Sequence, residues 1–211
     1  MRSKSKIIVI VSCLLVLCFA EDELKRLRSG FVAHGNDEKI HYILMDYELQ
    51  DVMINGQTFK KPTIPFGGLN AEEGEPVLPT VTTFYQVEPN KSYNIKVNIQ
   101  SSEIFENIDI VPHQTWDPVT GETTVPFKRN TDLYTSDEPF PKKQASISQI
   151  IVFRDLPVVK VSFTPFRYRP LSRQLEIITS ADIDLVETGN IEPVQIPGRR
   201  SRVFEPLYES I

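Results

Sequence analysis

The chain has 211 residues, with 23 Lys and Arg against 28 Asp and Glu, 16 Pro, 9 Gly and 2 Cys. A hydrophobic share of 40% is enough to bury a core, so disorder is not the default. The net charge of −5 lacks the clustered positive charge that displaces counterions from phosphates, which excludes nucleic acid as a partner. Proline stands above its usual share of about 5% and glycine below its usual 7%, favouring extended segments with rigid turns and hence an all-β protein.

The chain opens on a segment read as a secretory signal peptide, residues 1–20. Arg2, Lys4 and Lys6 supply a positive start, residues 7–17 a short apolar core, and Ala20 the small residue before the cut. The apolar stretch is too short for a hydrocarbon core, which needs about 20 helical residues, so stable membrane insertion is not expected. A lipid-attachment reading at Cys13 is the lesser alternative. Cys13 and Cys18 leave with the signal, so the exported chain has no thiol and forms no disulfide. Three basic residues and no acidic one go with them, which takes the net charge from −5 to −8. The localisation expected is secreted.

Residues 22–28 are expected to form a short helical turn. Residues 39–49 then carry Ile40, Tyr42, Leu44, Tyr47 and Leu49, and 52–54 face 57–59 across Asn55-Gly56. That dipeptide suits a two-residue type I′ hairpin turn, where both central residues take positive φ. Residues 77–87 are a further apolar stretch whose start, opened by Pro76 and Pro79, belongs at a sheet edge or outside the ladder. The clearest alternation is Tyr93, Ile95, Val97 and Ile99 against Asn94, Lys96, Asn98 and Gln100, a strand with one face on a core. Residues 147–153 are a dense run expected to be buried on both faces. Val159, Val161 and Phe163 alternate with polar neighbours, and 175–185 place Leu175, Ile177, Thr179, Ala181, Ile183 and Leu185 on one face, as one long strand or a bent pair. The fold expected is an antiparallel β-sandwich, jelly-roll-like, over residues 21–190, fading near Thr188. Residues 191–211, with Pro193, Pro197 and three arginines, are expected to be a basic processing linker and the start of a following domain.

Residues 123–143 lack sustained periodicity and form the longest expected surface loop, and long loops of this kind are often functional. Catalytic chemistry finds no support. There is no exported cysteine, and His34, His41 and His113 sit in no nucleophile motif. No metal or cofactor is expected: the turn between His34 and His41 needs no ion, and Glu72-Glu73-Gly74-Glu75 lacks the alternating oxygen ligands of a calcium loop. Asp182 and Asp184 share the outer face of their strand and are expected to be solvated. Trp116, Tyr134 and Tyr168 would be the stacking platform if the domain bound glycans, although buried aromatics are commoner in a sandwich. What remains is basic residues in exposed-looking segments: Lys128-Arg129 in the long loop, and Arg199, Arg200 and Arg202 in the linker. A flexible basic linker is an accessible cleavage site, and a basic loop on a rigid domain can imitate a substrate.

Gly74-Glu75-Pro76-Val77-Leu78-Pro79, running on to Val87-Glu88-Pro89, resembles the opening of the gingipain-type cysteine peptidase propeptide. Val111-Pro112-His113-Gln114 falls where such propeptides carry a Pro-x-Gln-Pro element. Residues 134–141 and 156–175 resemble their later segments, so the likeness covers residues 47–186. Thr115 stands in place of the second proline and Arg169 in place of an asparagine before Pro170, changes that affect turns more than strands. The resemblance implies a β-sandwich that covers the cleft of an arginine- or lysine-specific cysteine peptidase, in cis downstream or in trans, until it is cut away. From its place in the long loop between His113 and Tyr134, Lys128 or Arg129 is expected to supply the cation entering that peptidase's pocket, and maturation is expected after Arg199, Arg200 or Arg202. Residues 203–208 resemble the lead-in to the catalytic domain, whose histidine and cysteine would lie beyond Ile211. A secreted binding module and a stand-alone peptidase inhibitor are the competing readings.

Overall fold

The computed structural model describes residues 30–33, 39–115, 127–153 and 156–196. The signal segment with Ala20, the helical turn at 22–28, His34, Trp116 and Arg199, Arg200 and Arg202 lie outside the described residues. Among those described, the strands are β1 (Gly30–Ala33), β2 (Lys39–Ile43), β3 (Glu48–Ile54), β4 (Gln57–Thr63), β5 (Gly68–Leu69), β6 (Pro79–Gln86), β7 (Lys91–Phe105), β8 (Ala145–Ile147), β9 (Ile151–Phe153), β10 (Leu156–Phe163), β11 (Phe166–Arg169) and β12 (Gln174–Asn190). One helical turn, α1 (Thr131–Tyr134), falls between β7 and β8.

Two antiparallel sheets face each other, as the alternation in the sequence requires. In the first, β12 runs through the middle, with β7 on one side and β2 and β11 on the other, and β1 outside β2. The second has the order β5-β6-β10-β8, with β9 also on β10. Their inner faces meet where Tyr42 of β2 packs edge-on against Phe163 of β10, ring centroids 4.8 Å apart. Ile177, Ala181 and Ile183 of β12, Phe166 and Tyr168 of β11, and Val159 and Val161 of β10 complete this core. Each such large side chain, once buried, contributes about 1.5–3 kcal/mol.

The Asn55-Gly56 turn forms as expected, with φ of 50° and 78° at its two residues, and it joins β3 to β4 in an unbroken register. Pro79 lies ahead of the β6–β10 ladder, which begins at Val81, and pairs only with Leu69 of the two-residue β5. Residues 175–185 form one strand that bends, with register shifts against β7 on both sides of Ser180. The bulge changes which residues face inward: Ile178 joins Ile177 in the core, while Thr179 is only half-buried.

Three expectations need correction. Residues 147–153 are not one buried run but hold the last residue of β8 and the whole of β9, and Ile151 and Phe153 are exposed, β9 pairing only with β10 among the described strands. Phe153 instead stacks on Phe84 outside the sheet, centroids 5.7 Å apart. Ile99 is exposed rather than core-facing, since β7 is an edge strand and its core contacts come from Tyr93, Ile95, Val97 and Phe105. Asp182 and Asp184 are half-buried and paired: Asp182 meets His41 Nδ1 at 2.5 Å and accepts from Gln100, and Asp184 accepts from Asn98 at 2.8 Å. Neighbouring strands close over them, so polar cross-strand partners replace water except at Asp184 Oδ1, which is buried with no hydrogen-bond partner among the described residues.

The described part of the 123–143 loop is not a free excursion. α1 sits inside it, Tyr134 is buried, and Phe140 exchanges two backbone hydrogen bonds of 2.8 Å with Tyr168. Past β12, the Ile191 and Val194 amides donate to the carbonyls of Asn90 and Pro89, so residues 191–194 run along the start of β7.

Candidate functional site

Lys128 and Arg129 emerge from a neck built by four segments that are distant in sequence. Below it lies a small apolar cluster separate from the main core: Phe59 of β4, Val77 and Val111, with Val52, Ile54 and Phe127 packed on them. Phe127 approaches Phe59 with ring centroids 5.9 Å apart, so the residue preceding Lys128 is anchored under the β3–β4 hairpin. The segment containing Ile110 joins β4 through Lys60, whose amide donates to Asp109 O and whose carbonyl accepts from Val111 N.

Gly74 makes the closest approach. Its amide donates to His113 O at 2.7 Å and its carbonyl accepts from Asn130 N at 2.9 Å. With φ of +86° and a position where a Cβ would lie 2.9 Å from Asn130 N, only glycine fits without displacement. Asn130 then caps α1, its Oδ1 accepting from Leu133 N.

Gln114 grips Lys128 by the backbone. The Lys128 amide donates to Gln114 Oε1 at 2.9 Å, and Gln114 Nε2 donates to the Lys128 carbonyl at 2.7 Å. The side-chain amide thus substitutes for a paired strand. Thr115 donates its hydroxyl to Glu73. Glu73 also takes the Lys128 ammonium, Nζ to Oε2 2.5 Å, and that ammonium's side chain is 52% exposed.

Arg129 points the other way. Its Nη2 reaches Asp109 Oδ1 at 2.9 Å, and its guanidinium carbon lies 3.9 Å from the centre of the Tyr134 ring. Asp109, only 10% exposed, also accepts from Gln57 of β4 at 3.0 Å. Tyr134 donates to Ile110 O at 3.0 Å, and Tyr168 donates to Ile108 O at 3.1 Å. Burial raises the Tyr134 phenol strongly, and Asp109 adds to the rise while Arg129 opposes it. Both rings are buried, so two of the three residues considered for a glycan platform are unavailable to a sugar. Among the described residues no group of three or more His, Cys, Asp or Glu gathers around a possible metal ion.

The sequence singled out Lys128 and Arg129 but missed Glu73, Asp109 and Gln114 as their holders. Two signals were present: Gly74 opens the Gly74-Glu75-Pro76-Val77-Leu78-Pro79 stretch and Gln114 closes the Val111-Pro112-His113-Gln114 stretch, both of which carry the family resemblance. Arg169, the other departure, donates from Nη1 to Asp137 O at 2.8 Å, so the altered turn is still fastened.

The described residues form an all-β domain of two five-stranded sheets and the β3–β4 hairpin, with a basic pair on a braced neck. The Propeptide_C25 family model matches residues 25–195, and the chain belongs to that family. It is 24% identical to gingipain R2 of Porphyromonas gingivalis over 185 residues, covering 85% of this chain and 25% of that protein. A gingipain R1 of the same species is 24% identical over 158 residues, covering 72% of this chain and 15% of that protein. The chain therefore spans a quarter or less of the curated relatives it matches. Among solved structures, a complex of the P. gingivalis RgpB pro- and mature domains matches with TM-score 0.67 at 22% identity, covering 87% of this chain and 95% of that one. A structure concerned with the zymogenic latency of gingipain K matches with TM-score 0.61 at 19% identity, covering 76% and 93%. Both have the same fold as this chain. No described helix is long and apolar enough to cross a membrane.

Proposed function

We propose that this chain is the propeptide of a secreted gingipain-like cysteine endopeptidase, which keeps the peptidase latent and assists its folding until it is cut away. Family membership supports the propeptide role, and the observation that carries the inhibitory reading is the basic pair on its braced neck. A peptidase specific for Arg or Lys has an acidic pocket, and a cation held in a fixed backbone setting loses little freedom on entering it. The surrounding surface has to supply on the order of 800 Å² per partner.

Lys128 is the better pocket residue of the two. Its ion pair with Glu73 is exposed, and such pairs are worth about 0.2–1 kcal/mol, so exchanging Glu73 for a pocket carboxylate costs little. Arg129 is committed to Asp109 and the Tyr134 face and braces the loop. Export by the 1–20 segment with a cut after Ala20, and maturation after Arg199, Arg200 or Arg202, belong to the same proposal.

The test is to titrate the full chain into an active catalytic domain of this family and follow hydrolysis of a basic peptide substrate. Lys128→Ala is expected to weaken inhibition at least tenfold and Arg129→Lys by much less. Unchanged potency for Lys128→Ala would overturn the assignment of the cation. N-terminal sequencing of the mature enzyme checks the processing sites.

A further inference from the structure

A presented basic pair poses a chemical problem: Lys128-Arg129 is also a good substrate for any peptidase with an acidic pocket. Hydrolysis there would break the bond between the Lys128 carbonyl carbon and the Arg129 nitrogen, water giving hydroxyl to the carbon and a proton to the nitrogen. For that the peptidase must take the Lys128 carbonyl oxygen into its oxyanion hole and align the Lys128 N–H with its own backbone.

Both groups are already occupied. Gln114 Nε2 donates to the Lys128 carbonyl at 2.7 Å, and Gln114 Oε1 accepts from the Lys128 amide at 2.9 Å. The side chain of Gln114 is fixed in turn, because the second N–H of Nε2 is shared between the carbonyls of Pro112 and His113, at 3.2 and 3.0 Å. On the leaving side, Arg129 is tied to Asp109 and laid over Tyr134, and the Asn130 amide is tied to Gly74. The lysine side chain is half-exposed with its ammonium on Glu73, while the bond beside it is held on both sides.

We propose that Gln114 is a positioning residue that protects the Lys128–Arg129 peptide bond, so that the chain offers a basic side chain to a peptidase without being cut there. The Lys128 carbonyl is kept on Gln114 and out of a productive oxyanion geometry. The held Arg129 and Asn130 keep the leaving half in place, so that a bond once opened closes again more readily than it separates. This builds on the reading of Lys128 as the presented cation, but the protection itself concerns this chain alone.

The test uses the folded full chain and trypsin, with mass spectrometry counting fragments that end at Lys128. A synthetic peptide of residues 123–134 is the unprotected standard. The native chain is expected to be cut after Lys128 far more slowly than the peptide. Gln114→Met, similar in length but without hydrogen-bonding groups, should raise that rate on the order of tenfold or more, the loss expected for two hydrogen bonds held in the ground state. Gln114→Glu keeps the acceptor for the Lys128 amide and loses the donor to its carbonyl, and should fall between. Cutting after Arg167, within β11, reports general unfolding, and each rate of cutting after Lys128 is read relative to it in the same protein. Equal rates for the wild type and both variants overturn the proposal, as does a native chain cut as fast as the peptide. A parallel inhibition assay separates the two readings: increased cutting after Lys128 with unchanged inhibition by Lys128→Ala leaves the protection standing and removes Lys128 as the inhibitory cation.

Discussion

Arg129 lies with its guanidinium 3.9 Å above the ring of Tyr134, while the same side chain reaches Asp109 at 2.9 Å. The ring belongs to α1 and the carboxylate to the segment joined to β4, so this one side chain links the loop to both. Replacing Arg129 by Ala removes the cation and leaves the nearly buried Asp109 with Gln57 alone. The expected loss is about 1–3 kcal/mol, from a cation–π contact and a partly desolvated ion pair. Arg129→Lys keeps the charge but not the planar stacking and should recover about half. Chemical denaturation of the three proteins measures both.

At Gly74 the expected effect is on the neck alone. Gly74→Ala forces a side chain to adopt φ of +86° with its Cβ against Asn130 N, and strain of this kind costs about 1–3 kcal/mol. The midpoint of thermal unfolding should fall. Amide exchange at Asn130 should quicken before the β7–β12 ladder loosens.

Phe66 offers the opposite case. It has φ of +58°, is 88% exposed and sits third in a turn closed by Gly67 N donating to Ile64 O. That position in a turn with positive φ suits Gly or Asn far better than a bulky residue. Phe66→Asn should therefore raise stability by about 0.5–1 kcal/mol, since little buried contact is lost. A lower melting temperature would mean the ring contributes packing that its exposure does not show.

The tyrosines set an alkaline limit. Burial pushes Tyr168 up to about 12, and burial together with the hydrogen bond to Glu103 does the same for Tyr47. Burial raises Tyr42 and Tyr134 further. Each folded value lies above the unfolded one near 10, so the folded state holds these protons longer. That contribution is complete below about pH 10 and is lost as pH rises toward 12 and beyond. The phenolate absorbance of these four tyrosines, out of seven in the chain, should appear late and together with loss of near-ultraviolet circular dichroism. The Tyr42 hydroxyl is buried with no hydrogen-bond partner among the described residues, so Tyr42→Phe should be neutral or slightly stabilising.

Much of the sandwich was legible because it rests on local signals. The alternation of 93–97 and 181–185, the Asn55-Gly56 turn and the break at Pro79 each carry their own physical cause within a few residues, and each reappears in β7, β12, the β3–β4 hairpin and β6. The bulge in β12 was not legible, because a register shift exists only relative to a partner strand. Nor was the exposure of Ile99, Ile151 and Phe153, because an edge strand has the same composition as one covered on both sides.

The sequence alone determined the all-β class, the family pattern and the isolation of Lys128-Arg129 as basic residues in an aperiodic stretch of an acidic chain. Only the tertiary structure decided what holds them. Glu73 stands 55 positions from Lys128, Asp109 20 from Arg129 and Gln114 14 from Lys128. These residues meet because the segments carrying Gly74, Ile110 and Asn130 are stitched together by backbone hydrogen bonds over the Phe59 cluster. Side-chain contacts across such distances depend on how the packed layers close, and no periodicity or spacing along the chain encodes them.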